Sequence, residues 1–347
     1  MKQPLVYYNG RFIPFAEAAL PLDDAGFVSG ATIVDNARTF RHKLFRWPDH
    51  LARFRQDCAA CYVPLEWTDA ELTAIAEELV AQNAPFVPPG GEFQLVTFAT
   101  PGPVGYYRSA AKDAAGGESS SRRGTLGMLT YPLPWKRYQK FFTHGVTLAI
   151  AGIQPTDQLA LVPPRIKHRS RLHWHVAAQV IRDPHSDYHW QLDPPASDPS
   201  VVPVVINGSS ADTAIGSIIA VFGETVIFPD ERNVQKSISV QVIRELCDTL
   251  GLKHSTAALD ISGLVRPDWR EGLTAHEPLP TELLLAGTAF CVAGVRRWGV
   301  RDRYCDFVWP GPLLRRLQAA WSEIVGVDIV QQFVGGETPV DAGRTSN

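Results

Sequence analysis

The segment Pro163-Pro164-Arg165-Ile166-Lys167-His168-Arg169-Ser170-Arg171 places one lysine among three arginines. No other lysine occurs between Lys140 and Lys236, although the chain prefers arginine to lysine by about three to one. A guanidinium would serve equally well for charge alone, whereas only an amine condenses with an aldehyde and titrates near neutral pH beside other cations. Lys167 is therefore a candidate covalent anchor for a carbonyl group. A solvated basic face is the alternative interpretation.

Length and composition indicate a globular protein of two domains. The 347 residues are many for a single hydrophobic core, and 45% of them are apolar. The formal net charge of -3 argues against binding to nucleic acid or to a membrane surface through bulk charge. The sequence lacks a run of about eighteen apolar residues and begins with a strand-and-turn pattern instead of an apolar signal segment. We therefore expect a cytoplasmic protein with no nucleic-acid and no membrane partner.

The five cysteines are an odd number without regular spacing, which fits a reducing compartment. Cys58 and Cys61 form a C-x-x-C pair, but the pair lies in the interior of a predicted helix and has no second pair of ligands. We expect both to act as small apolar residues, and we expect no metal site.

The natural boundary in the chain lies near Pro132-Leu133-Pro134-Trp135. It predicts an N-terminal α/β domain over 1–132, a C-terminal domain over 133–334 and a flexible tail over 335–347. Residues 110–124 are polar and contain Gly-Gly-Glu-Ser-Ser-Ser, which is typical of a flexible insertion.

Strand and helix patterns alternate along both predicted domains. Asn9-Gly10 predicts the turn of a hairpin, and Pro48 with Asp49 predicts the start of a helix that carries His50 and Arg53. Further strands are predicted over 32–40, 92–100, 125–132, 145–153, 202–206 and 215–222, and further helices over 69–82, 170–182 and 239–251.

Five short segments, taken in order, resemble the class IV pyridoxal-phosphate-dependent aminotransferases. They are Tyr8–Pro14, His50-Leu51-Ala52-Arg53-Phe54, the Lys167 segment, Ser237-Ile238-Ser239 and Gly287-Thr288-Ala289. The family includes branched-chain aminotransferases, D-amino-acid aminotransferases and aminodeoxychorismate lyases, and this chain resembles a divergent member. The resemblance covers roughly residues 6–325. It implies the fold type IV of these enzymes, with two α/β (α+β) domains, a cofactor site between them and a homodimeric assembly.

The resemblance also implies a role for several residues. Lys167 would hold pyridoxal 5'-phosphate as a Schiff base and move a proton during the reaction. The cofactor phosphate would be bound by the Arg53 guanidinium, the backbone N–H groups of Ile238 and Ser239, and the hydroxyls of Ser239 and Thr288. An N-cap is the alternative role of Ser239, and the two roles are compatible.

The ring nitrogen of this cofactor needs a carboxylate partner, which the family supplies as a glutamate five residues before an asparagine. The same register in this chain gives Asp212 and Ser217, so Asp212 is the predicted partner. The alternative is that Asp212 organises a turn in a Ser/Gly-rich bend.

Substrate choice and cofactor tuning are less specific in the sequence. Leu172 stands where branched-chain enzymes have a tyrosine, and its neighbours Arg171 and His173 are candidates to replace that hydrogen bond. Trp135 and Tyr138 are candidates to line a substrate pocket. Arg38 is a candidate at the mouth of the pocket, with a surface charge at a strand edge as the alternative. Leu95 stands nearest to an arginine of branched-chain enzymes, which argues against that specificity.

The resemblance therefore predicts an enzyme that moves an amino group between an amino acid and a 2-oxo acid. A lyase of the aminodeoxychorismate type would use the same cofactor residues, and a cofactor-binding relative without transaminase activity is a third possibility. The remote alternative is a nucleic-acid binder that uses the basic stretch 165–175 with Trp174.

Overall fold

The computed structural model describes residues 3–104, 124–154, 162–207, 210–257 and 279–335. Of the predicted insertion only Gly124 is described, and of the predicted tail only Gly335. The chain divides into two compact units. The N-terminal unit comprises Met1–Leu133 and Ala160–Leu172, and the C-terminal unit comprises Pro134–Leu159 and His173–Asn347. The Lys167 segment therefore belongs to the N-terminal unit, and the domain limits at 132 and 334 stay predictions.

The described part of the N-terminal unit contains a six-stranded sheet in the order β2-β1-β6-β5-β3-β4, with antiparallel pairing between neighbours. The Asn9-Gly10 turn joins β1 to β2, as predicted, and Asn9 and Gly10 both have positive φ angles. The strands are β1 (Leu5–Tyr8), β2 (Arg11–Pro14), β3 (Ile33–Phe40), β4 (Lys43–Leu44), β5 (Phe93–Thr100) and β6 (Thr125–Pro132).

Three α-helices of this unit are α1 (Ala25–Val28), α2 (Trp47–Ala60) and α3 (Asp69–Asn83). Helix α2 has Pro48 in its first turn, and α3 begins with a capping box between Thr68 and Glu71, so the predictions for both helices are confirmed. Apolar side chains of α2 and α3 pack with those of β3, β5 and β6 in one core. Cys58 lies in this core, where burial raises the pKa of its thiol, and this agrees with the predicted apolar role.

The described part of the C-terminal unit contains a nine-stranded sheet, in which β12-β11-β10-β13-β14-β7-β8-β9 follow in order and β15 pairs with β14. Both parallel and antiparallel neighbours occur in it. The strands are β7 (Val146–Gln154), β8 (Val201–Asn207), β9 (Ser210–Thr213), β10 (Ser217–Phe222), β11 (Thr225–Pro229), β12 (Lys253–Ala257), β13 (Glu282–Gly287), β14 (Cys291–Val300) and β15 (Arg303–Asp306).

The described helices of the C-terminal unit complete a mixed α+β architecture. They are α4 (Trp135–Thr143), α5 (Leu172–Val180), α6 (Ile238–Thr249), α7 (Pro312–Val325) and α8 (Gln331–Val334). Leu172, the first residue of α5, is also the last residue of the N-terminal unit. Within the described ranges, no helix combines the length and the apolarity that crossing a membrane requires.

Candidate active-site residues

The Lys167 segment is bound to the first residues of strand β3 by backbone hydrogen bonds. The N–H of Val34 donates to the carbonyl of Lys167 (3.0 Å), and the N–H of Arg169 donates to the carbonyl of Thr32 (2.9 Å). His168 forms an isolated antiparallel bridge with Ile33. The segment therefore extends the sheet where β3 offers an edge, because β4 pairs with β3 only at Thr39 and Phe40.

Contacts on both sides of the lysine fix its position. Ile166 is buried in the core of the N-terminal unit, and the Ser170 hydroxyl donates to the carbonyl of Gly30 (2.7 Å). The N–H of Lys167 itself donates to Oδ2 of Asp57, a buried residue of helix α2, at 2.9 Å. The main chain of Lys167 is thus held by both β3 and α2, which leaves only its side chain to move.

Asp35, His50 and Arg53 form a buried ionic network beside this lysine. Oδ1 of Asp35 lies 2.6 Å from Nδ1 of His50, and Oδ2 lies 2.8 Å from Nε and 2.7 Å from Nη2 of Arg53. The relative exposures of Asp35, His50 and Arg53 are 2%, 2% and 3%. Because His50 and Arg53 are three residues apart on one helix, both reach the same carboxylate on β3.

The charge states within the network follow from burial and from neighbours. Burial by itself would raise the pKa of Asp35, but Arg53, His50 and Lys167 together hold it below its usual value, so the carboxylate is ionised. Burial lowers the pKa of His50 despite the attraction of Asp35, so the imidazole is neutral near pH 7. Nδ1 of the neutral ring therefore carries the proton and donates to the carboxylate.

The Lys167 amine lies in a cationic and partly desolvated setting. Burial, the Arg53 guanidinium and, to a smaller extent, Arg171 and Arg169 together lower its pKa to about 7, and Asp35 opposes them. The residue keeps an intermediate exposure to solvent. An amine with this pKa is neutral in about half of the molecules at pH 7, so it can act as a nucleophile and as a proton acceptor.

The sequence pattern identified Lys167 and Arg53, but it did not indicate Asp35 or Asp57 and gave His50 no role of its own. One signal was available: an aspartate inside the otherwise apolar and amide-bearing strand Ile33-Val34-Asp35-Asn36-Ala37. A carboxylate there has to find a cation when the strand is buried.

In the C-terminal unit, helix α6 begins at Ile238 and its N-cap is Ser237, whose hydroxyl accepts from the N–H of Val240 at 3.4 Å. The alternative role of Ser239 as the N-cap is therefore wrong, because its place in the first turn is already helical. Among the described residues, neither the N–H groups of Ile238 and Ser239 nor the Ser239 hydroxyl meets a hydrogen-bond acceptor or donor. These donors suit an anion at the positive end of the helix dipole.

Thr288 follows strand β13 at a position where two backbone segments come close together. A Cβ atom at Gly287 would lie 2.6 Å from the carbonyl oxygen of Ile215, and one at Gly216 would lie 2.5 Å from that of Ala286. Within the described ranges, the Thr288 hydroxyl has no hydrogen-bond partner. Positions 216 and 287 therefore accommodate only glycine, because any Cβ would press on the opposite backbone. The turn that precedes β10 and the end of β13, which leads to Thr288, are thus in close backbone contact.

Asp212 lies on β9 and is the direct cross-strand partner of Ser217 on β10. The two positions matched to the family's glutamate and asparagine are thus adjacent. Oδ1 of Asp212 accepts from the N–H of Thr213 at 2.8 Å. The turn itself is organised by the Thr213 hydroxyl, which accepts from the N–H groups of Ile215 and Gly216 and donates to the Gly216 carbonyl. The Thr213 hydroxyl thus organises the turn, and the role of Asp212 at the ring nitrogen stays a prediction.

The candidates for substrate contact lie in different settings. Tyr138 is buried in a cluster of aromatic rings with Phe141, Phe290 and Phe333, and Trp135 packs edge-on against Phe333 at 4.9 Å. These contacts describe packing within the C-terminal unit, so a role in a substrate pocket stays a prediction for both residues.

Arg38 is only 1% exposed, with its guanidinium 3.9 Å from the centre of the Phe40 ring. The alternative of a surface charge is therefore wrong, because the strand is covered on both faces. Arg171 contributes to the lowered pKa of Lys167, whereas His173 lies 4.9 Å from the Trp174 ring. Among the described side chains, no group of three His, Cys, Asp or Glu residues is placed to hold a metal ion.

Comparison with known proteins agrees with this arrangement. The model of a family described as "Amino-transferase class IV" matches residues 32–182. D-alanine aminotransferase of Staphylococcus haemolyticus is 33% identical over 78 residues, and this stretch covers 22% of this chain and 28% of that relative. The matched stretch thus spans less than a third of the relative's length.

Solved structures share the fold over nearly the whole chain. A hypothetical aminotransferase from Mycobacterium tuberculosis, in its PLP-bound form, superposes with a TM-score of 0.69 at 12% identity, over 93% of this chain and 99% of that one. The 4-amino-4-deoxychorismate lyase from Pseudomonas aeruginosa superposes with a TM-score of 0.64 at 18% identity, over 92% and 98%. The class IV aminotransferase family model therefore matches the part of the chain that contains both Arg53 and Lys167, and the chain as a whole has the fold of these solved structures.

Proposed function

We propose that the protein is a pyridoxal-phosphate-dependent aminotransferase that moves an amino group between an amino acid and a 2-oxo acid. The observation that carries the proposal is the arrangement at Lys167. Its main chain is held by Asp57 and Val34, and its amine lies close to the buried Arg53. An amine of lowered basicity beside a fixed guanidinium suits a phosphorylated aldehyde, which needs a nucleophile and an anion partner.

The described residues fit pyridoxal phosphate in their chemistry. When bound, this cofactor supplies an aldehyde that condenses with amines and a ring that withdraws electrons from the adjacent carbon. Lys167 supplies the amine. Because that amine has a pKa of about 7, it can both accept and return a proton at neutral pH without a further general base.

The resemblance implies phosphate donors in each of the two units. In the N-terminal unit, Arg53 is held in a single orientation by Asp35. In the C-terminal unit, the first N–H groups of α6 and the hydroxyls of Ser239 and Thr288 make no hydrogen bond within the described ranges. Groups of this kind are typical ligands of a phosphate dianion.

For the ring nitrogen we propose Asp212. It lies on a strand, it is partly buried, and its cross-strand partner is Ser217. An ionised carboxylate at this nitrogen keeps the ring protonated and therefore electron-withdrawing. The shorter aspartate side chain would approach the ring more closely than a glutamate does, or would act through a water molecule.

Two related functions remain as alternatives. A lyase would use the same cofactor residues, and 4-amino-4-deoxychorismate lyase is among the proteins of the same fold. A cofactor-binding protein without turnover would retain Lys167 and Arg53 but would not convert amino acids. The nucleic-acid hypothesis has less support, because Trp174, its proposed stacking residue, packs against a core of the C-terminal unit. We further propose a homodimer, on the resemblance alone, and a cytoplasmic location, on the odd and irregularly spaced cysteines.

The first experiment measures whether the cofactor attaches at Lys167. Purified protein incubated with pyridoxal phosphate should develop visible absorbance, and borohydride should convert the attachment to a stable bond on the peptide that contains Lys167. Lys167→Ala should lose both signals. Lys43→Ala, which removes an exposed lysine of the same unit, should keep both. A modified peptide other than the Lys167 peptide would contradict the proposal.

The second experiment identifies the reaction. Wild-type protein is supplied with a panel of L- and D-amino acids together with 2-oxo acids, and products are identified by mass spectrometry. A new amino acid formed from the 2-oxo acid shows transamination, whereas release of pyruvate without such transfer shows a lyase. Cofactor attachment without either product shows a protein that has lost turnover.

A further inference from the structure

We propose that Asp35 is a positioning residue that holds the Arg53 guanidinium in the orientation required to bind a phosphorylated cofactor. The inference rests on the proposed function, because it concerns the same ligand. It explains in addition why the protein would bind the phosphorylated cofactor more tightly than the same molecule without its phosphate.

The contacts of Asp35 fix Arg53 along one edge. Its Oδ2 atom accepts from both Nε and Nη2 of the guanidinium, at 2.8 and 2.7 Å. A planar guanidinium held through these two nitrogens cannot rotate about its last bond, so the direction of Nη1, which takes no part in this ion pair, is also set. At 3% exposure, Arg53 has little water that could replace the carboxylate.

His50 fixes the carboxylate in turn. Its Nδ1–H donates to Oδ1 of Asp35 at 2.6 Å, so both carboxylate oxygens are engaged and the group cannot turn. Because burial keeps His50 neutral, Arg53 is the one cation of the three residues. In metal sites, a carboxylate outside the coordination sphere often orients the histidine that binds the metal. Asp35 would orient Arg53 for its ligand in the same way.

Two opposing effects determine what the loss of Asp35 would do. Its negative charge partly offsets the charge of Arg53, so removing it would strengthen the attraction for phosphate. Its hydrogen bonds also fix the geometry, so removing them would let the guanidinium turn away from the ligand. We expect the geometric effect to win in Asp35→Asn, because the amide would keep only neutral hydrogen bonds to Arg53 and its NH2 group would face the N–H of His50, so the cost of ordering falls on ligand binding.

The test compares the binding of pyridoxal phosphate and of pyridoxal, which lacks the phosphate, in otherwise identical protein. The phosphate preference is the ratio of the two dissociation constants, measured by titration of the protein's fluorescence. In Asp35→Asn this preference should fall at least about tenfold, the scale of one charge-assisted hydrogen bond. Asp69→Asn is the matched control, because Asp69 pairs with Arg55 of the same helix α2 but is exposed and lies outside the network.

A double-mutant cycle shows whether Asp35 acts through Arg53. Arg53→Gln alone should reduce the preference, and adding Asp35→Asn to it should reduce the preference no further. A general loss of structure would instead weaken the binding of both ligands and leave the ratio of their dissociation constants unchanged. An unchanged or increased preference in Asp35→Asn, or a full effect that persists without Arg53, overturns the inference.

Failure of the inference is distinguishable from failure of the proposed function. If wild-type protein does not attach pyridoxal phosphate at Lys167, both are wrong. If it does and Asp35→Asn keeps the wild-type preference, only the inference is wrong. If Asp35→Asn does not fold, Asp35→Glu keeps the charge but moves it by one methylene. An intermediate preference in that variant supports positioning, and a wild-type preference refutes it.

Discussion

The amine of Lys167 should titrate near neutral pH, and Arg53 should be one cause of this. Burial and Arg53 lower its pKa from the ordinary 10.5 to about 7. At pH 7 an ordinary lysine is neutral in about one molecule in 3,000, whereas Lys167 should be neutral in about half of the molecules. The structure therefore implies an increase of about 1,500-fold in neutral amine at this pH. Arg53→Gln removes a cation and should raise the pKa, but only part of the way to 10.5, because burial is the larger cause.

The assay follows the modification of cofactor-free protein by a reagent that attacks neutral amines. The rate at the peptide that contains Lys167 is measured by mass spectrometry between pH 5 and 11. The wild-type midpoint should lie near pH 7, and the midpoint of Arg53→Gln should be higher. Lys43→Arg, a change of an exposed lysine in the same unit, should leave the Lys167 curve unchanged. A wild-type midpoint above about pH 9, or a midpoint that does not rise in Arg53→Gln, would refute the reasoning.

Three further predictions concern stability, each measured by urea unfolding. Lys167→Met should raise the free energy of unfolding by a few kcal/mol at pH 6, where the wild-type amine is charged in the folded protein, and by little at pH 10.5. A stabilisation that does not shrink as the pH rises from 7 to 10.5 would contradict the lowered pKa of Lys167. Gly287→Ala should destabilise by about 1–3 kcal/mol, because the new Cβ would press on the Ile215 carbonyl, and equal stability would show that the backbone moves freely there. Glu282→Gln should lower the free energy of unfolding by about 1–3 kcal/mol, because Glu282 accepts from the N–H groups of Leu313 and Leu314 at 3.0 Å each. The control Glu323→Gln, on the exposed side of α7, should leave this free energy almost unchanged.

The sequence predicted the residues whose chemistry is unusual better than the residues that support them. Lys167 and Arg53 were identified because their types and order match a family. Asp35 was missed because its partners are 15 and 18 residues away, and only the packing of α2 on β3 brings them together. A single sequence does not specify such non-local pairs.

Local ambiguity explains why the alternative roles considered for Ser239 and Arg38 were wrong. Ser237-Ile238-Ser239 offers two serines as caps, and only the position of the hydroxyl relative to the N–H of Val240 distinguishes them. The strand that carries Arg38 has few polar residues on either face, so its pattern does not tell whether a charged side chain points to solvent. The structure answers this, because Arg38 is buried against Phe40.

The attachment of the Lys167 segment to β3 has a consequence for fragments of the chain. Thr32 and Val34 form backbone hydrogen bonds with residues that follow more than 130 positions later. A fragment that ends at Leu133 would lack this covering segment, and the unpaired edge of β3 would be open to a strand of another molecule. Such a fragment should self-associate, whereas adding the separate peptide 162–172 should compete for the edge and keep it monomeric.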